Sequence, residues 1–237
     1  MSWRERAMKR FYDAESGFVD GTTEYHQLVA QVARGKILEI GSGPTNPSTR
    51  FLATLGEVTG LDVDPDVRGN ADLARAEVFD GTRFPFDDAV FDVCASNYVL
   101  EHVPQPEVHF AEVRRVLRPG GAYVFRTPNR YHYVMIVSSL TPHGFHKLVA
   151  NRLRGLPADA HDPYPTLYRA NSERAVRRLA AGAGLRVETL RLVEKEPSYG
   201  MASPLLFYPL MAYERFLNSS ERWSFLRANL FVTLRRP

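Results

Sequence analysis

The chain has 237 residues, a length that suits one large domain or one domain with an elaboration. Hydrophobic residues make up 44% and charged residues 24% of it, which is the balance of a soluble globular protein with a sizeable core. The net charge is +3, with a sequence pI of about 9.0. The arginines are scattered and form no dense stripe with interleaved aromatics, so this composition argues against a nucleic-acid-binding protein.

A single cysteine, Cys94, excludes a disulfide within the chain and fits a reducing compartment. It lies in the apolar run "VFDVCASN", so we expect a buried small hydrophobe there and not a nucleophile. The N-terminus is charged throughout and lacks the apolar segment of a signal peptide. No run approaches the roughly 20 apolar residues that cross a bilayer. We therefore expect a cytoplasmic protein without a membrane span.

Amphipathic helical patterns fill the first 34 residues. In "TTEYHQLVAQVARG", Tyr25, Leu28 and Val29 fall on one helical face, and Gly35 ends the helix. We predict that residues 1–34 form an N-terminal helical cap and that residues 35–237 form the main domain.

Short apolar runs that alternate with helical stretches follow this segment. Strands are predicted at 36–40, 57–63, 76–80, 89–97 and 122–129, and helices at 46–56 and 105–121, with a short helix at best at 67–75. Pro119 and two glycines stop the second of these helices. Five strand–helix units in this order imply a parallel sheet with helices on both faces.

The remainder adds one capped helix and two strands. The helix is predicted in "NSERAVRRLAAGAGL" (171–185), and the strands in "RVETLRLVEKE" (186–196) and "NLFVTLRRP" (229–237). The whole pattern predicts an α/β fold with a doubly wound, Rossmann-like sheet of seven strands. The sheet is mostly parallel with an antiparallel C-terminal strand. Insertions on the substrate side are expected at about 129–170 and 197–227.

A glycine turn follows the first strand, in "ILEIGSGPTN" (37–46). The G-x-G spacing lets the backbone turn tightly and come close to a ligand. Glu39 stands just before the turn, and Asp62 and Asp80 end the next two strands, so all three carboxylates should meet at one crevice. A carboxylate suits the hydroxyls of a ribose at Asp62 and an exocyclic amine at Asp80.

The turn differs from two well-known phosphate-binding loops. It has no lysine, which excludes a P-loop, and Thr45 stands where a dinucleotide fingerprint has its third glycine. The distance from the glycines to Asp62 still permits a nicotinamide-dependent oxidoreductase. Glu39 beside the turn disfavours phosphates and suits a cationic ligand. Taken singly, Asp62 and Asp80 could equally serve as an Asx-turn and a helix cap.

The segment from Ile37 to Asn129 resembles the class I S-adenosylmethionine-dependent methyltransferases. The resemblance rests on "LEIGSGPTN", "VTGLDVDPD", "FPFDDAVFD" and "LEHV" in this order, and it is strongest with the small-molecule, methyltransferase type 11-like branch. It implies S-adenosyl-L-methionine as the cofactor. Thr45 departs from the last glycine of the family's acidic-x-G-x-G-x-G motif.

The resemblance also implies roles at the cofactor site. The glycine turn would approach the methionine moiety with Glu39 near its ammonium, Asp62 would bind the ribose, and Asp80 would read the adenine amine. Val63 would pack on the adenine ring, and Asn97 and Tyr98 would line the methionine end. The predicted cofactor-binding residues are Glu39, Gly41, Ser42, Gly43, Asp62, Val63, Asp80, Gly81, Asn97 and Tyr98.

An alcohol or phenol acceptor would need a base to take its proton. Three histidines near the predicted crevice or in the divergent half are the candidates, namely His102, His132 and His143. His143 and His146 have a spacing that suits a metal, but no third ligand is evident, so no metal site is predicted.

The predicted activity is methyl transfer to a small, partly apolar acceptor, with O-methylation favoured. The apolar segment 201–217 could form a core helix, a dimer surface or a lid over the acceptor. A nicotinamide-dependent oxidoreductase and a non-catalytic cofactor-binding domain remain alternatives. The tetrapeptide of base-methylating enzymes is absent, since residues 96–99 read "SNYV", so no nucleic-acid partner is expected. The chain is expected to be a monomer or a homodimer.

Overall fold

The computed structural model describes residues 1–140 and 164–237 of the chain. The predicted catalytic candidate His143 and its neighbour His146 lie outside the described residues. Two compact units divide the chain. In the described part, the first unit contains residues 1–24, 129–140, 164 and 192–228, and the second contains 25–128, 165–191 and 229–237. The predicted cap boundary at residue 34 stays a prediction.

The sheet has seven strands in the order β3-β2-β1-β4-β5-β7-β6. They are β1 Lys36–Ile40, β2 Glu57–Asp62, β3 Arg75–Val78, β4 Phe91–Asn97, β5 Leu117–Pro128, β6 Arg186–Val193 and β7 Asn229–Arg235. β1 pairs in parallel with β2 and β4, and β4 pairs in parallel with β5. β7 runs antiparallel to β5. The predicted Rossmann-like fold with its antiparallel C-terminal strand is therefore confirmed.

Continuous burial explains why the central strands read as apolar runs. Ile37 and Leu38 of β1 and Val93 and Cys94 of β4 are all buried, as expected for parallel strands that are covered on both faces. Burial also raises the pKa of the Cys94 thiol, so this cysteine behaves as a packed hydrophobe.

Local capping signals begin several of the helices. Asn46 accepts a hydrogen bond from the Thr49 backbone N–H at 2.8 Å, with Pro47 in the first turn, and Ser172 caps its helix in the same way. The α-helices of the described part are α1 Trp3–Phe11, α2 Gly21–Ala30, α3 Pro47–Ala53, α4 Pro106–Val116, α5 Tyr133–Leu140, α6 Glu173–Gly182 and α7 Pro204–Asn218. None of them combines the length and hydropathy that a membrane span needs.

The first unit has its own small core, in which α1 packs on α7. Ala7, Tyr12 and Phe207 are buried at its centre. The Tyr12 hydroxyl donates a hydrogen bond to the buried Glu214 carboxylate at 2.8 Å, although the two residues stand 202 positions apart. The segment 201–217, for which the sequence left three alternatives open, is thus largely helical and buries one of its faces.

Four details differ from the sequence predictions. The stretch Arg118–Gly120, predicted as a helix-to-strand turn, lies within β5, where the pairing with β4 shifts register and Gly120 has φ +77°. β3 ends at Val78, so Asp80 stands two residues beyond the strand that it was expected to end. α5 begins at Tyr133, in a stretch without clear periodicity, and the helix expected at 67–75 is a 3₁₀ turn over Pro65–Gly69.

Candidate active site

The glycine turn begins directly after β1. Gly41 has φ +74° and Gly43 has φ +57°, conformations that glycine adopts without the steric cost of a Cβ atom. A Cβ atom at Gly41 would overlap the Val99 side chain, whereas one at Gly43 would meet no atom of the described residues within 4 Å. The backbone at Gly43 is therefore open to a ligand. Beside it, the Ser42 hydroxyl is buried and has no hydrogen-bond partner in the described structure.

Asp62 connects the end of β2 to this turn. Its carboxylate accepts hydrogen bonds from the Gly43 N–H at 2.9 Å and from the Asp64 N–H at 3.0 Å. Each carboxylate oxygen accepts one of these bonds and has a second lone pair left to accept another. The Asp62 carboxylate can therefore hold the turn, as an Asx-turn would, and bind a ligand at the same time.

Glu39 is buried behind the turn and faces the start of α3. The Thr49 hydroxyl donates a hydrogen bond to its carboxyl at 2.6 Å. Burial, with a smaller contribution from the charge of Asp62, raises the pKa of Glu39 to about 7, while hydrogen bonds from Thr49 and Asn46 oppose the rise. The site therefore holds a carboxyl group that is poised to ionise near neutral pH.

The two predicted adenine residues Val63 and Gly81 lie side by side. Val63 is 46% exposed, and a Cβ atom on Gly81 would lie 3.7 Å from its Cγ1 atom. Asp80 next to them is exposed and accepts hydrogen bonds from Thr82 and Arg83. The bond from the Thr82 hydroxyl is the largest cause that lowers the pKa of Asp80. Asp80 thus forms a local turn and stays ionised beside an apolar surface.

Asn97 and Tyr98 follow the end of β4, and Arg126 holds both. The Arg126 guanidinium donates to the Asn97 side-chain oxygen at 2.8 Å and lies 4.5 Å from the centre of the Tyr98 ring. Tyr98 has φ +58°, a costly conformation for a tyrosine that the surrounding contacts must maintain. Its hydroxyl donates to Asn229 at 2.9 Å, and Asn97 donates to Ser48 of α3 at 3.2 Å.

The sequence analysis missed Arg126, and Glu101, in the segment "LEHV" after β4, could from the sequence alone serve a helix start or a salt bridge. The only sequence signal for Arg126 is a charged residue inside the apolar strand "AYVFRTP". Glu101 is instead buried, and burial raises its pKa to about 7. It accepts a hydrogen bond from Thr127 at 3.0 Å, and its backbone carbonyl accepts from Leu167 and Tyr168. Glu101 thus joins the end of β4 to the segment that follows residue 164.

The structure places the described catalytic candidates in different units. His102 lies in the second unit, where its Nδ1 atom is 3.1 Å from the carbonyl oxygen of Pro165. Because a carbonyl only accepts, Nδ1 carries the proton, and in the neutral ring Nε2 is the atom that can accept one. The role of His102 as a base stays a prediction.

His132 belongs to the first unit and is buried. Burial lowers the pKa of His132 to about 4, so the ring is neutral at physiological pH. Its Nε2 atom is 3.6 Å from the Glu194 carboxylate, whose pKa burial raises to about 8, and neither ring nitrogen makes a hydrogen bond within the described structure. Its catalytic role stays a prediction as well.

All ten predicted cofactor-binding residues lie in the second unit, at or just beyond the carboxyl ends of β1, β2, β3 and β4. Direct contacts link Gly43 to Asp62 and place Val63 next to Gly81. Within residues 1–140 and 164–237, no three histidine, cysteine or acidic side chains gather as a metal site would require.

Known proteins match the part of the chain that forms this site. The family described as "Methyltransferase domain" matches residues 38–125. An uncharacterized methyltransferase of Mycobacterium marinum is 35% identical over 102 residues, 39% of each chain. One of Mycolicibacterium vanbaalenii is 39% identical over 134 residues, 52% of this chain and 51% of its own. The chain thus spans about two-fifths to one-half of the length of these curated relatives.

A solved structure matches most of the chain at low sequence identity. Geranyl diphosphate C-methyltransferase from Streptomyces coelicolor A3(2), determined with Mg²⁺, geranyl diphosphate and S-adenosyl-L-homocysteine, superposes with a TM-score of 0.58. The alignment covers 91% of this chain and 80% of that one at 16% identity, so it shows a shared fold. The family match identifies a methyltransferase domain over residues 38–125, and the shared fold agrees with the predicted resemblance to the class I S-adenosylmethionine-dependent methyltransferases.

Proposed function

We propose that the protein transfers a methyl group from S-adenosyl-L-methionine to a small-molecule acceptor, with an oxygen atom as the favoured acceptor. The observation that carries this proposal is the open backbone at Gly43, held by the Asp62 carboxylate. This arrangement offers close approach to a ligand and hydrogen-bond acceptors for a ribose.

The residues around the turn fit the chemical groups of this cofactor. Asp62 has carboxylate lone pairs available for the two ribose hydroxyls. Val63 and Gly81 offer an apolar surface for the adenine ring, and the ionised Asp80 carboxylate can accept a hydrogen bond from the adenine amino group.

The charge of the site favours this cofactor over a nicotinamide dinucleotide. Glu39 and Asp62 flank the turn, and a carboxylate pair repels a pyrophosphate but attracts the ammonium of an amino-acid moiety. The bound cofactor supplies a methyl carbon activated by its positively charged sulfur. The protein then has to position the acceptor, exclude water and remove the acceptor's proton.

For the proton, we propose His102 as the first base to test. The Pro165 carbonyl orients its ring and leaves Nε2 as the proton-accepting atom. His132 stays a second candidate, although burial lowers its pKa to about 4 and makes it a weak base. His143 remains a candidate from the sequence alone. We further propose a cytoplasmic monomer or homodimer, since the single cysteine is buried in the sheet.

Calorimetry with S-adenosyl-L-homocysteine and with NAD tests the cofactor. We expect binding of the homocysteine compound and none of NAD; the reverse result would support an oxidoreductase and refute the proposal. Transfer of isotope-labelled methyl groups to a panel of phenols, alcohols, amines and carbon acids then tests the reaction. Labelling of amines or carbon acids alone would refute O-methylation, and binding without transfer to any acceptor would support a non-catalytic domain.

Substitution of Asp62 tests the ribose assignment. We expect Asp62→Ala to weaken S-adenosyl-L-homocysteine binding by about 1–3 kcal/mol, the cost of leaving buried polar groups unpaired. Asp92→Ala is a matched control, because Asp92 also accepts a hydrogen bond from a backbone N–H, that of Lys36 at the opposite end of β1. Equal losses of affinity in both variants would indicate a general loss of stability and overturn the assignment.

A further inference from the structure

The helix α7 in the first unit exposes an apolar face opposite to the one that it buries. Phe207 and Leu217 are buried on the inner face. On the outer face, Leu205 is 86%, Tyr208 49% and Phe216 48% exposed. Together with the exposed Ala212, these residues stand three or four positions apart and form one stripe along the helix, which we name the α7 stripe.

The exposed apolar surface continues beyond the C-terminus of α7. The 3₁₀ helix Glu221–Leu226 places the Trp223 ring 5.0 Å from that of Phe216 at the end of the stripe. Phe225 in the same segment is 53% exposed. Scattered exposed hydrophobic residues are ordinary, but a continuous row of large ones typically marks an interaction site.

Arginines border this apolar surface at three places. The Arg10 guanidinium lies 5.2 Å from the centre of the Phe11 ring, which meets the Tyr208 ring at 6.4 Å. Arg222 lies in the same way over Trp223 at 5.9 Å. The third, Arg215 on α7, is engaged within the unit, where it lies 5.5 Å from the centre of the Tyr12 ring and donates a hydrogen bond to the Phe11 carbonyl at 3.3 Å. Long cationic side chains on aromatic rings can keep their charge in water while the rings enter an apolar phase.

The acidic residues near these arginines are largely occupied by contacts within the unit. Glu214 is buried and accepts hydrogen bonds from Tyr12 and Asn218, with Arg215 at 3.4 Å. Glu221 pairs with the buried Arg227 at 2.9 Å. Glu5 accepts the N–H of Ser2 at the start of α1. Arg10 and Arg222 therefore supply the positive charge at the border of the stripe.

We propose that the α7 stripe and its arginines bind the surface of an anionic lipid membrane. A helix that shows large apolar and aromatic residues between cationic side chains matches an interfacial helix that lies in the plane of the headgroups. Anionic headgroups complement the arginines, and Tyr208 and Trp223 have the amphipathic rings that favour this layer. The inference does not depend on methyl transfer, because it uses contacts of the first unit alone.

Sedimentation of the full-length protein with lipid vesicles tests this proposal. We expect binding to phosphatidylcholine vesicles that contain about 30% phosphatidylglycerol, weaker binding at high salt, and little binding to pure phosphatidylcholine. Removing two arginine charges in Arg10→Gln/Arg222→Gln should weaken binding roughly 30-fold, at about 1 kcal/mol for each charge near the surface. Arg174→Gln/Arg178→Gln removes two exposed charges of α6 and should leave it unchanged.

A second pair of variants tests the apolar contribution. Leu205→Ser/Phe216→Ser should abolish vesicle binding, whereas Val108→Ser, at an exposed apolar position on α4, should retain it. Circular dichroism and thermal unfolding identify any variant that fails to fold, and Leu205→Ala/Phe216→Ala then takes its place. Absence of vesicle binding in the unmodified protein refutes the proposal. So does a dimer in light scattering that only the stripe variants disrupt, because a second copy would then cover the stripe.

Discussion

Replacing Glu39 with glutamine should remove a carboxyl group that stays protonated in the folded protein up to about neutral pH. The carboxyl is buried and its pKa lies at about 7 instead of the ordinary 4.5. This difference corresponds to about 3 kcal/mol against the ionised form in the folded chain. Glutamine has nearly the same shape as the protonated carboxyl and can still accept the hydrogen bond from Thr49.

The first consequence is a change in how stability depends on pH. The unfolded chain ionises Glu39 at about 4.5, while the folded chain keeps the proton up to about pH 7. The stabilising contribution of this group is therefore complete below about pH 4.5 and declines as the pH rises towards 7. Denaturant unfolding should show that Glu39→Gln flattens this decline and makes the protein more stable than wild type above pH 7, by up to about 3 kcal/mol.

The second consequence concerns the ligand. An ammonium group near Glu39 would stabilise the carboxylate and expel the proton, so S-adenosyl-L-homocysteine should bind more tightly as the pH rises through 7. Calorimetry at about pH 6.5 in buffers of different ionisation enthalpy should detect proton release, which Glu39→Gln should remove. Glu101→Gln is a matched control, because Glu101 is also buried with a pKa of about 7. Its substitution should alter stability in the same way and leave the proton release intact.

The two contributions of Glu39 can be refuted separately. If the wild-type protein releases no proton when it binds S-adenosyl-L-homocysteine, Glu39 does not neighbour the ammonium of the cofactor. The same conclusion follows if the Glu39→Gln variant still releases a proton on binding. That result would leave S-adenosylmethionine binding itself untouched, since Asp62 tests it independently. If Glu39→Gln does not change the pH dependence of unfolding, the raised pKa is wrong.

Two further predictions concern the glycine turn and the core of the first unit. Gly41→Ala should destabilise the protein by at least about 2 kcal/mol in urea unfolding, because the new methyl group overlaps Val99 and the backbone has a positive φ. Gly43→Ala should cost about 1 kcal/mol of stability, which arises from the positive φ alone, and its main effect should be a lower affinity for the cofactor. Equal destabilisation would contradict the open face at Gly43. Tyr12→Phe should lower the free energy of unfolding by about 1–3 kcal/mol, because the buried Glu214 loses a donor, while Tyr208→Phe at an exposed ring should change it by less than about 0.5 kcal/mol.

The features that could be predicted from the sequence depend on neighbours in the chain. β1 begins and ends at the predicted residues 36 and 40, and Asn46 caps α3 as expected. Apolar runs, caps and glycines act over a few residues, so one short stretch contains the whole signal. The order of such stretches then leaves few ways to arrange a parallel sheet, because crossover connections have one hand.

The features that the sequence did not reveal depend on pairs of distant residues. Arg126 orients both Asn97 and Tyr98, but no sequence pattern near position 126 predicts that these residues are its partners. The carboxyl of Glu101 accepts a hydrogen bond from Thr127, and its backbone carbonyl accepts from residues 167 and 168, so a pattern within "LEHV" could not separate this role from a helix start. The β5 bulge at Gly120 likewise follows from its pairing with β4 and not from the prolines and glycines alone.

The same distinction explains why the cofactor is easier to infer than the acceptor. Cofactor recognition uses the ends of consecutive strands, where backbone N–H groups and single carboxylates act at positions that the chain order already determines. The first unit is assembled from segments far apart in sequence, as the bond between Tyr12 and Glu214 and the approach of His132 to Glu194 illustrate. Packing of this kind tolerates many sequences, so its buried histidine and carboxyl groups identify no particular acceptor. The acceptor must therefore be identified by measuring methyl transfer. The variants of Asp62 and Glu39 show in such assays whether missing transfer is due to lost cofactor binding or to an unsuitable acceptor.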